Sequence, residues 1–360
     1  MATPVNGYVS IFQDATNGDD EFEFMAGVGT ANAGKGDDAF IFNQFVNSVD
    51  MGKGNDTVIF KNFAGANTVK LGAGNDILQG ENAGYIANID AGDGNDDVTI
   101  NGAGTVDLGK GNDHLEASQW VNSVDAGKGN DTVILNGGGG TVDLGKGDDI
   151  LEAYAWVNSV DAGKGKDTVT LHSGGGTVDL GDGNDVLEAY AWVNEVDAGR
   201  GNDTVTLHGG GGQIDLGRGH DTFVSTSGWV NKVDGGIGND DITIAGGYAY
   251  GGEGKDDIKT DGNSVTFAYG EHGKDTFEFE ATNQKQYNQF DGGADRDTLI
   301  IETSSWTDSD EQSLENDLAG YTGDNSAYLS QFNIRIEDIE RVVVKVSGEE
   351  QYSFDADTFV

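Results

Sequence analysis

The chain has 360 residues and a formal charge of −43, from 63 acidic and 20 basic residues, with 59 glycines, one proline and no cysteine. The missing cysteines exclude a disulfide scaffold and a thiolate metal site, and the acidic balance argues against a nucleic-acid partner, because binding phosphates requires a basic surface. No run of about eighteen apolar residues occurs, so we expect no transmembrane segment. Because so many negative charges repel one another, such a chain either stays disordered or binds cations when it folds. Its apolar residues are regularly spaced, which argues against disorder.

The first residues of the chain precede any repeat. Residues 1–16 are expected to form an N-terminal cap, and residues 1–7 lack the basic segment and apolar core of a Sec signal peptide. From residue 17 to 299 a Gly-x-Gly-x-Asp pattern recurs, regular from Asp113 to Asp221 and with looser copies on both sides, which makes sixteen loop copies, each closed by an aspartate. These closing aspartates are Asp20, Asp38, Asp56, Asp76, Asp96, Asp113, Asp131, Asp149, Asp167, Asp185, Asp203, Asp221, Asp240, Asp256, Asp275 and Asp297.

The segments on both sides of each glycine loop alternate apolar and polar residues, as half-buried strands do. From Asp113 to Asp221 the closing aspartates are 18 residues apart, and each unit reads strand, turn, strand, loop. We therefore predict an all-β fold: a right-handed parallel β-roll or β-solenoid with about 18 residues per coil and its glycine loops stacked along one edge.

The loop segments resemble a known repeat. DLGKGND (107–113) and DAGKGND (125–131) are similar to the nonapeptide G-G-x-G-x-D-x-U-x of the RTX, or haemolysin-type, calcium-binding β-roll proteins, and the resemblance covers about residues 17–299. The first glycine is usually replaced, as by Leu108 and Ala126, and only every second nonapeptide carries the motif. The resemblance implies one Ca²⁺ between consecutive loops, on the order of 10–14 ions in all.

The loop residues suit calcium chemically. Glycine lets the backbone turn sharply and expose its carbonyls, and each closing aspartate adds a carboxylate to the oxygen ligands that Ca²⁺ prefers. The alternative is a plain turn in an acidic solenoid, which does not explain the aspartate. The predicted ligands are the closing aspartates from Asp38 to Asp297 together with Gly109, Gly111, Gly127, Gly129, Gly145, Gly147, Gly163, Gly165, Gly181, Gly183, Gly199, Gly201, Gly217 and Gly219.

A second acidic row precedes most loops. By the alternation its side chains point outward, about 4.8 Å apart on neighbouring coils. Either this row is a solvated face partly neutralised by loop bases such as Lys128 and Arg200, or it binds further cations. The row is Asp90, Asp107, Asp125, Asp143, Asp161, Asp179, Asp197, Asp215 and Asp234.

The edge opposite the glycine loops carries aromatic residues. Trp120, Trp156 and Trp192 recur on every second coil, Trp229 continues the series, and Phe45 and Tyr85 hold the same place earlier, with glycine turns between the tryptophans. Two interpretations stay open: the rings cover the bare glycine turns, or they form an exposed stripe that stacks on sugar rings or a partner.

Residues 300–360 leave the repeat. The β-like stretch 333–346 is predicted to close the last coil. Residues 357–360, an acid followed by a mostly apolar tail, are similar to the C-terminal signals of RTX proteins exported by type I secretion; a capping strand is the alternative. Residues 300–360 are thus expected to form a C-terminal cap with a secretion signal.

No catalytic motif stands out. The sequence lacks HExxH and G-x-S-x-G, and its five histidines are scattered, so we expect no enzyme. We predict a secreted calcium-binding protein that folds outside the cell, with a structural, cell-surface or matrix role and the type I secretion apparatus as a partner. The alternatives are a polysaccharide-binding module, a β-helix polysaccharide-modifying enzyme, and an ice-binding solenoid, whose regular threonine is Lys, Asp or Arg in this chain.

Overall fold

A computed structural model describes residues 3–13, 17–260, 262–281, 286–323 and 325–356. The chain divides into two compact units, Met1–Gly181 and Asp182–Val360. In both units nearly every strand is short and pairs in parallel with the strand one coil away, which confirms the predicted parallel β-solenoid. Among these residues no helix has the length and apolar character needed to cross a membrane.

In the first unit the strands alternate strictly between two parallel sheets, odd-numbered strands in one and even-numbered strands in the other. The strands are β1 (Thr3–Val5), β2 (Val9–Gln13), β3 (Glu21–Phe24), β4 (Val28–Lys35), β5 (Ala39–Phe42), β6 (Val46–Lys53), β7 (Thr57–Phe60), β8 (Ala66–Ala73), β9 (Ile77–Gly80), β10 (Ile86–Asp93), β11 (Asp97–Ile100), β12 (Ala103–Asp107), β13 (His114–Ala117), β14 (Val121–Asp125), β15 (Thr132–Leu135), β16 (Gly139–Asp143), β17 (Ile150–Ala153), β18 (Val157–Asp161), β19 (Thr168–Leu171) and β20 (Gly175–Asp179).

One coil of this unit shows why the sequence folds this way. In β13 and β14 the residues Leu115, Ala117, Val121 and Val124 are at most 1% exposed, and the polar residues between them face outward. A single coil cannot bury this apolar face alone, so each coil is stabilised by its neighbours. The 18-residue spacing places Leu115 beside Val133 of the next coil, and the same register continues.

The N-terminal residues form a coil in register with the repeat. β1 pairs in parallel with β3 and β2 with β4, so residues 3–13 extend both sheets by one strand. Phe12 contacts Phe22, Phe24 and Phe40, with ring centroids 4.7 to 5.8 Å apart. This aromatic cluster fills the end of the core with large side chains.

The second unit continues the same pattern and then departs from it. Its elements are β21 (Val186–Ala189), β22 (Val193–Asp197), β23 (Thr204–Leu207), β24 (Gly211–Asp215), β25 (Arg218–Gly219), β26 (Thr222–Ser225), β27 (Val230–Asp234), β28 (Ile237–Gly238), β29 (Asp241–Thr243), β30 (Gly247–Glu253), β31 (Asp257–Thr260), β32 (Thr266–His272), β33 (Thr276–Glu280), β34 (Asn288–Asp291), β35 (Thr298–Thr303), α1 (Asp308–Asp317), β36 (Ser326–Leu329), β37 (Ile334–Glu337), β38 (Arg341–Val346) and β39 (Glu349–Asp355).

The C-terminal residues close this unit. β37 pairs in parallel with β34 and β38 with β35, which confirms that the stretch 333–346 forms the last coil. β36 and β39 then pair antiparallel with β37 and β38. Helix α1 begins with a capping box formed by Thr307 and Asp310. Residues 357–360, the predicted secretion signal, lie outside the described residues.

Candidate metal centre

Most of the glycine loops turn through two residues in the left-handed region. In the loop 126–131, Gly127 has a φ of +91° and Gly129 a φ of +120°. A Cβ at Gly129 would lie 1.6 Å from the carbonyl oxygen of Gly111 on the neighbouring coil, so both the backbone angle and the close approach require glycine. All the predicted loop glycines except Gly183 have φ values between +85° and +159°.

Hydrogen bonds between loops use only some of the backbone carbonyls. The Lys128 N–H donates to the Gly109 carbonyl at 3.0 Å, and the Gly129 N–H donates to the Lys146 carbonyl at 2.8 Å. In this set of hydrogen bonds between neighbouring loops, the carbonyls of the second and third loop residues therefore accept hydrogen bonds. The carbonyls of the first and fourth residues of this loop, Ala126 and Gly129, are not acceptors in it, whereas in the preceding loop the first carbonyl, that of Leu108, accepts from the Gly92 N–H at 3.2 Å. The Ala126 and Gly129 carbonyl oxygens are left for another partner.

The closing aspartates are buried at the base of the loops. Asp149 is 1% exposed, and its Oδ1 accepts from the Asp131 N–H at 2.7 Å, while its own N–H donates to Oδ1 of Asp167 at 2.8 Å. The other oxygen, Oδ2, is buried without a hydrogen-bond partner in the structure. The same holds for Asp56, Asp76, Asp96, Asp113, Asp131, Asp203, Asp221, Asp240, Asp256, Asp275 and Asp297.

Burial raises the pKa of these carboxyl groups. The pKa of Asp149 rises from 3.8 to about 7, chiefly because burial disfavours the charged form, and the neighbouring Asp131 and Asp167 carboxylates add to the rise. For Asp297 burial raises the pKa to about 8. A protein-only environment therefore works against the ionised state of these groups at neutral pH. A cation beside Oδ2 would reverse this preference.

Loops that open with glycine show how oxygens converge beside the aspartate. A Cβ on Gly235 would lie 2.7 Å from Oδ2 of Asp240 and 2.3 Å from the Gly251 carbonyl of the next coil. The arrangement repeats at Gly251, where Oδ2 of Asp256 is 2.5 Å and the Gly270 carbonyl 2.9 Å from the corresponding point. A buried carboxylate oxygen and a carbonyl oxygen from the neighbouring coil thus face the same place.

This donor set fits calcium. Within the described ranges no three His, Cys, Asp or Glu side chains are grouped so that they could hold a metal ion. A bound ion would therefore take carbonyl oxygens alongside the carboxylate, which Ca²⁺ accepts and which zinc, with its nitrogen and sulfur ligands, does not favour. The closing aspartate and the first and fourth loop carbonyls would hold it, and the ion would supply positive charge to the buried Oδ2.

A second set of side chains links the loops and was not anticipated from the sequence. The N–H of Asn130, the residue before the closing Asp131, donates to Oδ1 of Asn112 one coil earlier at 2.9 Å. The Asp131 N–H instead donates to the coil that follows. The two ladders thus run in opposite directions along the stack. In the sequence, these hydrogen bonds are indicated only by the asparagine that often precedes the closing aspartate.

The outward acidic row lies where the alternation predicted. Asp107, Asp125 and Asp143 are in register at the ends of β12, β14 and β16, and all three are exposed. Partial burial and the neighbouring aspartates raise the pKa of Asp107 and of Asp143. The Lys110 ammonium donates to Oδ1 of Asp93 at 2.6 Å. Asp93 holds the same loop position one coil earlier and does not belong to the acidic row.

The opposite edge carries an aromatic column, defined here as Tyr8, Phe45, Tyr85, Trp120 and Trp156 of the first unit. Their side chains are 38% to 74% exposed. The glycine turns between them pack on backbone: a Cβ on Gly137 would lie 2.3 Å from Gln119 Cα. The rings of this column are thus exposed. In the second unit Trp192 and Trp229 are 37% and 41% exposed.

Beside the tryptophans the structure repeats a cluster of three side chains that sequence reasoning missed. Tyr154 stacks on His172 with ring centroids 4.4 Å apart, and both side chains bond Glu152, at 2.6 and 3.2 Å. Glu188, Tyr190 and His208 repeat the arrangement in the second unit. The tyrosine hydroxyl and the imidazole lower the pKa of Glu152.

Comparisons with known proteins found few similarities. No family model matches the chain, and no curated protein matches it. Among solved structures, an X-ray crystal structure of a hyperactive, Ca²⁺-dependent, β-helical antifreeze protein from an Antarctic bacterium is similar to it at 21% identity. The match covers 95% of this chain and 92% of that chain, with a TM-score of 0.39.

Proposed function

We propose that this chain is a secreted calcium-binding protein of the RTX type, which folds when its glycine loops take up Ca²⁺ outside the cell. Its role is structural, at the cell surface or in a matrix, and not catalytic. The observation that carries this proposal is the buried Oδ2 that recurs at the base of successive loops without a hydrogen-bond partner, as at Asp113, Asp131 and Asp149.

The physical reason is the cost of burying charge. An ionised carboxylate shielded from water is unfavourable unless it is paired or coordinates a metal. Here the cost recurs every coil on a chain of formal charge −43. Bound divalent cations offset both the local burial and the general repulsion between coils.

The compartment follows from mass action. If free calcium is about 20-fold above the dissociation constant, each independent site adds about 1.8 kcal/mol to folding, and extracellular modules bind Ca²⁺ at about 10⁻⁴–10⁻³ M. At sub-micromolar calcium this contribution vanishes and the repulsion remains. We therefore propose that the chain stays unfolded inside the cell, which also suits export as an unfolded chain through a type I secretion apparatus.

Circular dichroism against calcium concentration tests the proposal. We expect a disordered spectrum in EDTA, a cooperative transition to a β spectrum at about 0.1–1 mM Ca²⁺, and little effect of Mg²⁺, which demands a tighter octahedral site. A β spectrum that is the same in EDTA and in calcium would contradict it. Export is tested separately, by comparing secretion of the full chain and of a chain lacking residues 357–360 from cells with a type I system.

A second candidate function is polysaccharide binding. It is favoured by the aromatic column, whose five large side chains remain exposed in one line, because solvent-exposed rows of apolar side chains mark interaction surfaces. The two functions are compatible, since calcium would build the scaffold and the opposite edge would bind the partner.

A further inference from the structure

The aromatic column follows a strict two-coil rule. Val121 pairs with Gly139 and Gly139 with Val157, so the preceding residues Trp120, Gly138 and Trp156 lie side by side on three neighbouring coils. The same pairing relates the rest of the first unit. In chain order the positions are Tyr8, Gly27, Phe45, Gly65, Tyr85, Gly102, Trp120, Gly138, Trp156 and Gly174. Every aromatic residue is thus separated from the next by one glycine.

This alternation sets a spacing. Neighbouring strands are about 4.8 Å apart, so the aromatic side chains recur about every 9.6 Å along the first unit. The glycines keep the intervals open, because a Cβ on Gly138 would lie 2.4 Å from the Trp156 carbonyl and one on Gly102 would lie 2.9 Å from the Trp120 carbonyl. At the tryptophans the glycine gaps are lined by backbone, whereas the Tyr85 hydroxyl lies 2.8 Å from the Cβ point of Gly104 and a Tyr8 ring carbon lies 3.8 Å from that of Gly27.

The tryptophan rings are held in place. The Trp120 Nε1–H donates to Oδ1 of Asn122 at 3.0 Å, and Trp156 makes the same bond to Asn158 at 3.0 Å. Each of these two rings is therefore tied to its own strand. Side chains that are ordered before binding lose less entropy when a ligand arrives.

On one side of the rings the surface is uncharged, whereas the cluster of Glu152, Tyr154 and His172 lies on the other side, beside Trp156. The column two residues further along the strands consists of Asn47, Asn67, Ala87, Gly104, Asn122, Gly140, Asn158 and Gly176. On a chain of formal charge −43, a strip without charged side chains suits a neutral ligand, whereas an anionic polymer would be repelled by the rest of the molecule. Amides and backbone carbonyls in this strip can hydrogen-bond hydroxyl groups.

We propose that the aromatic column binds a neutral β-1,4-linked polysaccharide in its extended form, with one disaccharide for every two coils. In such a chain alternate sugars are flipped, so equivalent ring faces recur once per disaccharide, at a distance close to two strand spacings. The C–H groups of a sugar face suit the negative face of an aromatic ring, and the intervening sugar lies over the glycine gap. This inference rests on the second proposed function, polysaccharide binding.

Binding of the full chain to defined glycans tests the proposal, in calcium and after circular dichroism has shown that the protein is folded. The probes are cellulose, chitin and soluble cello-oligosaccharides of two, four and six sugars, with a β-1,3-glucan, starch and alginate for comparison. We expect binding to a β-1,4-linked glycan, with affinity rising for each added disaccharide as another ring is engaged.

The matched variants separate the column from other exposed aromatics. We expect the double variant Trp120→Ala, Trp156→Ala to bind at least tenfold more weakly. The control Tyr154→Ala, Tyr190→Ala, which removes one exposed ring outside the column from each unit, is expected to stay within twofold of the unaltered affinity. The variant Asn122→Ala, Asn158→Ala keeps the tryptophan rings but removes the hydrogen bonds that hold them, and its affinity for the glycan should fall severalfold.

The outcomes distinguish the two levels of inference. If the folded protein binds none of the glycans, polysaccharide binding fails as a function. If it binds starch or β-1,3-glucan as well as the β-1,4-linked probes, that function survives and the proposed linkage is wrong. Unchanged affinity in the folded tryptophan variant would show that binding occurs elsewhere.

Discussion

Replacing a closing aspartate by asparagine should change stability in opposite directions with and without calcium. In Asp149→Asn the Oδ1 acceptor for the Asp131 N–H is retained, and a neutral amide nitrogen replaces the buried Oδ2. Without metal the variant no longer has to bury an ionised carboxylate. With calcium it loses a charged ligand.

The magnitude follows from the raised pKa. Burial moves the pKa of Asp149 from 3.8 to about 7, and a difference of one pKa unit corresponds to about 1.4 kcal/mol. At pH 8 the ionised group thus costs about 4 kcal/mol, which solvent screening near the loop surface reduces to about 2–4 kcal/mol. Asp149→Asn should recover this amount in EDTA. In saturating calcium it should instead lose about 2 kcal/mol or more, the contribution of at least one site.

The assay compares folding free energies in the two conditions. In EDTA the transition is induced with an osmolyte such as TMAO, which favours the compact state, and in calcium it is followed by urea unfolding. Asp148→Asn is the matched control, because it makes the same charge change one residue away at an exposed side chain. It should shift both values by less than about 0.5 kcal/mol. The reasoning is refuted if Asp149→Asn changes stability by the same sign and amount in EDTA and in calcium.

Three further predictions concern pH, the loop glycines and the ions. The folded-state pKa of closing aspartates such as Asp149 and Asp203 lies above the unfolded value near 3.8, so acidification from pH 8 to 5 in EDTA should stabilise the folded state. In limiting calcium, protons compete with the ion, and the calcium concentration at the folding midpoint should rise as the pH falls. Circular dichroism at each pH measures both effects, and a change of the opposite sign would contradict the prediction. Gly129→Ala, with a Cβ 1.6 Å from a carbonyl oxygen, should lower the free energy of unfolding in calcium by at least about 2 kcal/mol. Gly348→Ala, also at positive φ but with nothing within 4 Å, should cost about 1 kcal/mol, and equal urea midpoints for the two would contradict the close-approach argument. Native mass spectrometry of the folded protein should count on the order of 10–14 calcium ions, and none or one would contradict the repeated site.

The periodicity of the sequence was enough to predict the coil. An apolar residue at every second position, with an 18-residue repeat, leaves one arrangement that buries each apolar face, and β13 and β15 adopt it with Leu115 beside Val133. The positions of the loop glycines and of buried aspartates such as Asp149 follow from the same repeat. That these residues bind calcium stays a prediction, which rests on glycine at positive φ recurring with a buried carboxylate.

Other features could not be read from the sequence because they depend on hydrogen-bond register and not on residue counting. The unequal coil lengths are visible in the sequence, since Asp76, Asp96 and Asp113 are 20 and 17 residues apart, but the residues that pair across them, such as Ile86 with Ala66 and Ala103, are set by the hydrogen-bond register. Only the pairing shows that Tyr8 belongs to the aromatic column. Likewise, the roles of the two carboxylate oxygens depend on which amide of the adjacent coil points at them.

The amino-acid sequence by itself thus determined the parallel coil, its stacked loops and the acidic residues that close them, because these are set by a local repeat. The tertiary structure decided which oxygen of Asp149 is left without a protein partner, how Asn112 and Asn130 join the loops, and that the tryptophan rings stay exposed above glycine gaps. These three features depend on distances between neighbouring coils, and those distances are fixed only when the strands have paired.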